Sequence, residues 1–245
     1  DDVRKAAAAL KAVEPARVAT TIPLSGRRKI IADHMVKSLQ TSAQLTIITD
    51  VDATALADLH HQLMAEAKRI DARISHGDLI AGAVVRALKS FSIFNSTIVG
   101  DEIKVFENVN MGIATPVDDG LIVPVVRNAD QLSLAELSRA LAGLAEKARN
   151  RTLSLDDVTG GTFTISNLSA FDVMAFTPIV NSPESAILGV GGLADRPAVV
   201  RGQLTVRSTM YLSLTWDHRV ADGVPAAKFL RAIKQILERP AVLLV

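Results

Sequence analysis

Apolar positions change period several times along the chain, and each change marks a predicted element. After Gly26, the residues Ile30, Ile31, His34, Met35 and Leu39 recur at helical spacing up to Ser42, so a helix with one apolar face is expected there. A strand over residues 45–51 should follow. Leu56, Leu59, Leu63 and Ala67 make one stripe of a second helix, and Leu79, Ile80, Ala83, Val84 and Leu88 one of a third. Gly100-Asp101 sits between β-prone runs at 96–99 and 102–105, a hairpin pattern, and Asp118-Asp119-Gly120 divides 109–115 from 121–126 in the same way. Ser133 and Glu136 form a capping box, because the serine can accept from the amide three residues on while the glutamate reaches back. That box opens a helix carrying Leu134, Leu137, Leu141 and Leu144. Further strands are expected at 161–167, 185–190, 198–201 and 204–216. The last helix, 223–238, turns Ala226, Phe229, Leu230, Ile233 and Leu237 inward.

Helices and strands do not alternate strictly and no internal repeat is present, which argues against a doubly wound sheet or a (β/α)8 barrel. The expected architecture is a two-layer α/β sandwich with a mixed sheet. Residues 1–21 are Ala-rich and charged, with Pro15 and no balanced apolar face, and read as a short helix and linker. Residues 240–245 place an apolar plug at a chain end, where exposed apolar side chains indicate a partner surface, so an oligomer is expected.

Composition narrows the chemistry. The 245 residues, 49% of them hydrophobic, can bury a core without staples. With no cysteine there is no thiolate nucleophile, disulfide or Cys-based metal site, so any thiol chemistry must bring its thiols from outside. A net charge of +1 gives no electrostatic case for nucleic acid or an anionic membrane. The apolar runs fall short of the roughly 18 residues that span a bilayer, and the opening Asp-Asp does not resemble a signal peptide. A soluble, intracellular protein is expected, in a prokaryotic cytoplasm or, as the alternative, the mitochondrial matrix.

Two constellations could carry chemistry. His218-Arg-Val-Ala-Asp222-Gly223 lies between a predicted strand and a predicted helix, where polar side chains can converge on a rigid frame. On local physics alone Asp222 reads first as the N-cap of the last helix, with Pro225 inside the first turn. The second is Gly160-Gly-Thr-Phe-Thr-Ile-Ser166-Asn167-Leu168, which taken alone reads as a strand ending in a Ser-Asn turn.

Five stretches in one order carry a resemblance: IPLSGRRKIIADHM (22–35), NVNMGIATPVDDGLIVPVVRNAD (108–130), LAEKARNRTLSLDDVTGGTFTISNL (144–168), FTPIVNSPESAILGVG (176–191) and DHRVADG (217–223). Together they resemble the catalytic domain of the dihydrolipoamide acyltransferases, the E2 components of 2-oxo acid dehydrogenase complexes, which have the chloramphenicol acetyltransferase-like fold. The resemblance covers 22–245 and implies acyl transfer between dihydrolipoamide and coenzyme A. By position His218 matches the family's catalytic histidine, Asp222 the aspartate of its His-x-x-x-Asp-Gly motif, and Ser166 its oxyanion-stabilising hydroxyl. Arg28 is similar to an arginine that pairs with that aspartate in chloramphenicol relatives. Ser166, Asn167 and Gly191 fall where relatives contact coenzyme A.

The resemblance also implies a homo-trimer with sites between subunits, so that His218 and Ser166 would come from neighbouring chains. Trimers would assemble into a core of 24 or 60 subunits that meets E1 and E3 through N-terminal domains. No Asp-Lys-Ala lipoyl-attachment sequence is present, so residues 1–21 resemble the linker after a missing subunit-binding domain, and the lipoyl group would come from a domain absent from this chain. No metal is expected. Gly191 stands where succinyl-transferring relatives tend to carry histidine, which favours acetyl or branched-chain acyl groups. Two alternatives stay open: a catalytically silent E2-like scaffold, and a stand-alone coenzyme A-dependent O-acetyltransferase, whose branch has a second histidine where this chain has Asp217.

Overall fold

The computed structural model describes residues 17–117 and 120–244. The helix expected near the N-terminus falls largely on residues outside that range, and residues 17–25 have no regular secondary structure. In chain order the elements are α1 (Gly26–Thr41), β1 (Gln44–Asp52), α2 (Thr54–Ala65), the single turn α3 (Ala67–Ile70), α4 (His76–Ser90), β2 (Ser96–Val99), β3 (Glu102–Val105), β4 (Met111–Val117), β5 (Gly120–Ile122) and β6 (Val125–Val126). They continue with α5 (Leu134–Arg149), β7 (Phe163–Asn167), β8 (Ala186–Val190), β9 (Ala194–Val200), β10 (Gln203–Asp217) and α6 (Gly223–Glu238).

Among the described residues, eight strands form one mixed sheet in the order β1-β10-β8-β7-β4-β5, with β6 on β4 and β9 on β10. Neighbours β4, β7 and β8 run parallel, and β10 runs antiparallel to β1, β8 and β9. Strand β10 does two jobs along its 15 residues: its first half makes a hairpin arm with β9, and its second half enters the middle of the sheet. The pair β2–β3 stands apart as a separate hairpin.

One face of the sheet carries the helical layer. Helix α6 packs on β1 and β10 and against α4, while α5 covers β4 and β6. The predicted inward stripe of α6, from Ala226 to Leu237, is buried as expected. Its Phe229 stacks on Phe94 at 4.7 Å between ring centroids and meets Phe163 edge-on at 5.9 Å, an arrangement suited to the ring quadrupoles. The expected capping box of Ser133 with Glu136 opens α5, and the structure adds a second, Ser75 with Asp78, at α4.

Three expectations are corrected. The second helix breaks at Glu66 into α2 and α3. The run 121–126 is not one strand, because Pro124 has no amide to donate to a ladder; β5 and β6 flank it, and its carbonyl accepts from Ile113 N at 2.9 Å. Helix α1 has the expected span, yet its apolar stripe is not core: Ile30 is 70% and Leu39 52% exposed, and only Ser38 is buried.

Candidate active site

The sheet ladder continues one step beyond β10, where His218 N donates to Ala43 O at 2.9 Å. The next two side chains lock this corner. Asp217 is buried and accepts from Arg219 Nε at 3.0 Å on both oxygens and from Nη2 at 2.5 Å, while the amides of Ala43 and Arg219 donate to Oδ1. Burial pushes the Asp217 carboxyl up, but these donors outweigh it and hold it below the usual range, so Asp217 stays a carboxylate. The fork leaves the backbone at His218 little freedom.

The His218 ring leans on Trp216, with centroids 5.8 Å apart, and Trp216 Nε1 in turn donates to Ala221 O at 2.7 Å. Asp222 occupies the N-cap position of α6 with extended backbone but makes no side-chain cap bond. Its Oδ1 instead lies 3.9 Å from His218 Nδ1, too long for a hydrogen bond and within Coulombic range. That neighbour favours the tautomer with a proton on Nδ1, which leaves the Nε2 lone pair as the proton acceptor.

Ser166 is the penultimate residue of β7, level with Ala114 on β4 and Gly189 on β8. Strand alternation puts Phe163 and Ile165 into the core and Thr164 and Ser166 on the opposite face. Beside Ser166, a Cβ on Gly189 would stand 3.1 Å from the Phe176 ring, so that ring roofs the strand next to the hydroxyl. Asn167 turns the other way. Its Oδ1 accepts from Ser169 N at 2.9 Å, and it lines a cavity of about 310 Å³ with Ile113, Ser75 and Leu141 between the sheet, α4 and α5. Ser166 and Asn167 therefore serve opposite faces.

Gly191 follows directly on Val190, which is level with Asn167, and Arg28 lies elsewhere. A Cβ on Gly191 would meet Met174 O at 2.0 Å, so the residue is glycine because the 173–174 backbone lies on top of it. Arg28 does not pair with Asp222 within the chain. It lies in the first turn of α1 beside Gly120, whereas the ion pair formed by Asp222 is the one with His218.

His218 and Ser166 are not brought together by one chain. Asp217 N bonds Ser185 O before β8 begins, whereas Ser166 is level with Gly189 near its end. The offset is about 16 Å along the strands and two strand spacings, about 10 Å, across them.

The sequence reading also missed a buried polar cluster on the Ser166 face. Glu184 Oε1 accepts from Asn181 Nδ2 at 2.9 Å, and Asn181 also reaches Thr164 Oγ1 at 3.4 Å and His34 Nε2 at 3.3 Å. Burial pushes the Glu184 carboxyl up to about 8 against the opposing bonds from Thr164 and Asn181. The sequence signal was a glutamate two residues before the apolar run Ala186–Val190.

The 2-oxoacid dehydrogenases acyltransferase (catalytic domain) family matches residues 16–245. The chain belongs to this family. It is 44% identical over 250 residues to the dihydrolipoyllysine-residue acetyltransferase component of the acetoin cleaving system of Bacillus subtilis (strain 168), covering 100% of this chain and 63% of the relative. It is 39% identical over 230 residues to the dihydrolipoyllysine-residue succinyltransferase component of the 2-oxoglutarate dehydrogenase complex of Pseudomonas aeruginosa, covering 93% of this chain and 56% of the relative. The chain thus spans less than two thirds of these curated relatives.

Among solved structures, the cubic core of the pyruvate dehydrogenase multienzyme complex superimposes with a TM-score of 0.88 at 33% identity, covering 96% of this chain and 98% of that one. Azotobacter vinelandii dihydrolipoamide acetyltransferase gives 0.87 at 34%, covering 93% and 95%. That structure addresses the roles of a serine, a histidine and an asparagine in catalysis, the serine 52 residues before the histidine and the asparagine four after it. A chloramphenicol acetyltransferase at 15% identity and a TM-score of 0.57, covering 89% of this chain and 99% of that one, shares the fold. The expected family and fold class are therefore both found.

Proposed function

We propose that this chain transfers an acyl group between dihydrolipoamide and coenzyme A, with His218 of one subunit and Ser166 of a neighbour completing each site. The observation that carries this reading is the spacing of the reactive groups. Ser166, His218 and Asp222 keep both intervals of the Azotobacter serine, histidine and asparagine, with aspartate in place of asparagine. The separation of the two residues within one chain supports a site shared between chains.

The chemistry follows from the groups. A thiol with an ordinary pKa of about 8.5 is mostly protonated at neutral pH and must lose its proton to attack. His218 Nε2 takes that proton as the S–H bond breaks, and the thiolate sulfur forms a bond to the thioester carbonyl carbon. Negative charge moves onto the carbonyl oxygen, where the Ser166 hydroxyl donates a hydrogen bond. When the carbonyl reforms, the C–S bond to the leaving thiol breaks, and His218 returns the proton to that sulfur. The transfer is direct and reversible, with no acyl-enzyme. Asp222 steadies the imidazolium while it exists.

Apolar side chains on the β9–β10 arm support a self-associating surface: Val199 is 73%, Leu204 77% and Val206 68% exposed on a hairpin that extends from the sheet. We infer a homo-trimer that builds a 24- or 60-subunit core, receives its lipoyl group from a module outside the described residues, and meets E1 and E3 in a bacterial cytoplasm. The backbone packed on Gly191 leaves no room for a histidine there, which supports acetyl or branched-chain acyl transfer over succinyl. The reading is tested by incubating the protein with dihydrolipoamide and acetyl-, succinyl-, isobutyryl- or isovaleryl-CoA. Turnover of one acyl-CoA, absent in H218A, supports it, and silence with all four overturns it.

A further inference from the structure

Glu184 is an ionisable side chain in a place that does not suit a charge. It is 6% exposed, makes none of the ion pairs found among the described residues, and leaves Oε2 buried without a hydrogen-bond partner. Its Oε1 is packed against the entry to β7 so closely that a Cβ on Gly161 would stand 2.8 Å from it. A buried carboxylate with one unsatisfied oxygen and no cation costs several kcal/mol, a cost that most such residues shed by taking up a proton. Random placement of an acid in a core is selected against on these grounds, so this one has a task.

The neighbours indicate the task. Asn181 spans the cluster, donating to Glu184 Oε1 at 2.9 Å and reaching Thr164 Oγ1 at 3.4 Å, and the backbone closes the same turn with Glu184 N to Asn181 O at 3.0 Å. Thr164 is 1% exposed and is tied to the Glu184 carboxyl through Asn181. It precedes Ser166 by two residues, so the two hydroxyls share one face of β7, about 7 Å apart.

We propose that Glu184 is a positioning residue for Ser166: it holds Asn181, which reaches Thr164, and so fixes the stretch of β7 that presents the catalytic hydroxyl. The inference rests on the oxyanion role given to Ser166 above. In its acid form Glu184 offers Oε1 as an acceptor to Asn181 and buries no charge. Deprotonation places a charge without an ion-pair partner against the Gly161 backbone, which forces the cluster open and moves Ser166. The groups facing the carboxyl are Asn181 and the Gly161 backbone; the titratable and charged side chains near it are His34 of α1, one step away through Asn181, and the Asp217–Arg219 pair, which lines the same cavity as Glu184.

The test compares wild type, E184L, E184Q, T164V and S166A as assembled proteins, measuring kcat and KM from pH 6 to 9 with dihydrolipoamide and the best acyl-CoA of the panel. E184L removes the polar head at similar volume and lowers kcat by about ten- to a hundredfold with KM little changed, the signature of a misplaced catalytic group. E184Q restores the kcat that E184L loses, because a neutral amide replaces a neutral acid, and it removes the part of the alkaline decline in kcat that belongs to Glu184. Wild-type kcat in a folded E184L, or an E184Q profile that superimposes on wild type through pH 9, overturns the inference. Should E184L not assemble, T164V decides: reduced kcat at unchanged KM supports the grip, and unchanged kcat refutes it. S166A separates the two layers of the argument. Full activity in S166A sinks the oxyanion role itself, whereas a silent S166A beside a fully active E184L sinks the positioning role alone.

Discussion

Ser166 and His218 stand toward opposite ends of β8, the serine level with Gly189 and the histidine one residue beyond the bond from Asp217 N to Ser185 O. A hydroxyl and an imidazole must reach the same reacting carbonyl and thiol within hydrogen-bond distance of about 3 Å. An offset of about 16 Å along the strands forbids this in one chain. The fold thus carries two half-sites per chain and needs a second copy to join them.

His218→Ala removes the base and lowers kcat by about 10²- to 10⁴-fold. The ring is 42% exposed, so thermal stability and assembly stay close to wild type, which circular dichroism and gel filtration can check. Ser166→Ala removes one hydrogen bond to the developing oxyanion and lowers kcat by about 10²- to 10³-fold with little change in KM. A KM effect larger than the kcat effect in S166A contradicts the assigned role.

Arg219→Ala breaks the fork that holds the His218 corner and strands the buried Asp217 carboxylate. Because Arg219 is half exposed, the expected loss is only about 1–2 kcal/mol, read by denaturant unfolding at pH 7. Asp217 has a lowered folded pKa, so the stability it contributes is present above its unfolded value near 3.9 and disappears as pH falls through the folded one. Wild type and R219A therefore converge in acid. A gap that persists well below pH 3 shows that packing, not charge, is at stake.

Gly191→Ala puts a methyl group where Met174 O already lies, 2.0 Å from the ideal Cβ. The 172–174 segment must shift, at a cost of about 1–3 kcal/mol typical of overpacking. A G191A protein as stable as wild type means that this segment yields freely, and the argument against a histidine at this position loses its force.

Glu184 predicts a pH dependence of opposite sign to that of Asp217. Its carboxyl rises from an ordinary 4.5 to about 8 in the folded chain, so between those values the folded state holds a proton that the unfolded state has lost. Its contribution to stability is complete below pH 4.5 and declines until pH passes about 8. E184Q, which has no proton to lose, should have a flatter melting-temperature profile over that window and exceed wild type at its alkaline end. Parallel profiles contradict the assignment.

Legibility in the sequence followed the physics of each feature. Elements with one buried face announced themselves by period: α6 and β10 stand close to where residues 223–238 and 204–216 placed them, and α5 begins where the Ser133 capping box and the stripe from Leu134 to Leu144 put it. The stripe on α1 was equally visible, but period shows that a face is apolar without showing what covers it, and Ile30 and Leu39 are bare in the single chain. His218, Asp222 and Ser166 were found through motif resemblance. The Arg28–Asp222 pair, carried over by analogy, is not formed within the single chain, and no local rule sets the distance between the start of α1 and the cap of α6. The Glu184 cluster joins residues from α1, β7 and the turn before β8, so only the assembled sheet reveals it.

The claim that each site takes His218 from one chain and Ser166 from another is tested most directly by co-expressing H218A and S166A chains with different tags and isolating the mixed assemblies. Each parent alone is nearly silent. In a closed ring with random mixing, about a quarter of the interfaces pair an intact His218 with an intact Ser166, so activity should return to about a quarter of wild type. Mixed assemblies no more active than the average of their two parents would place both residues in the service of one chain and contradict the account.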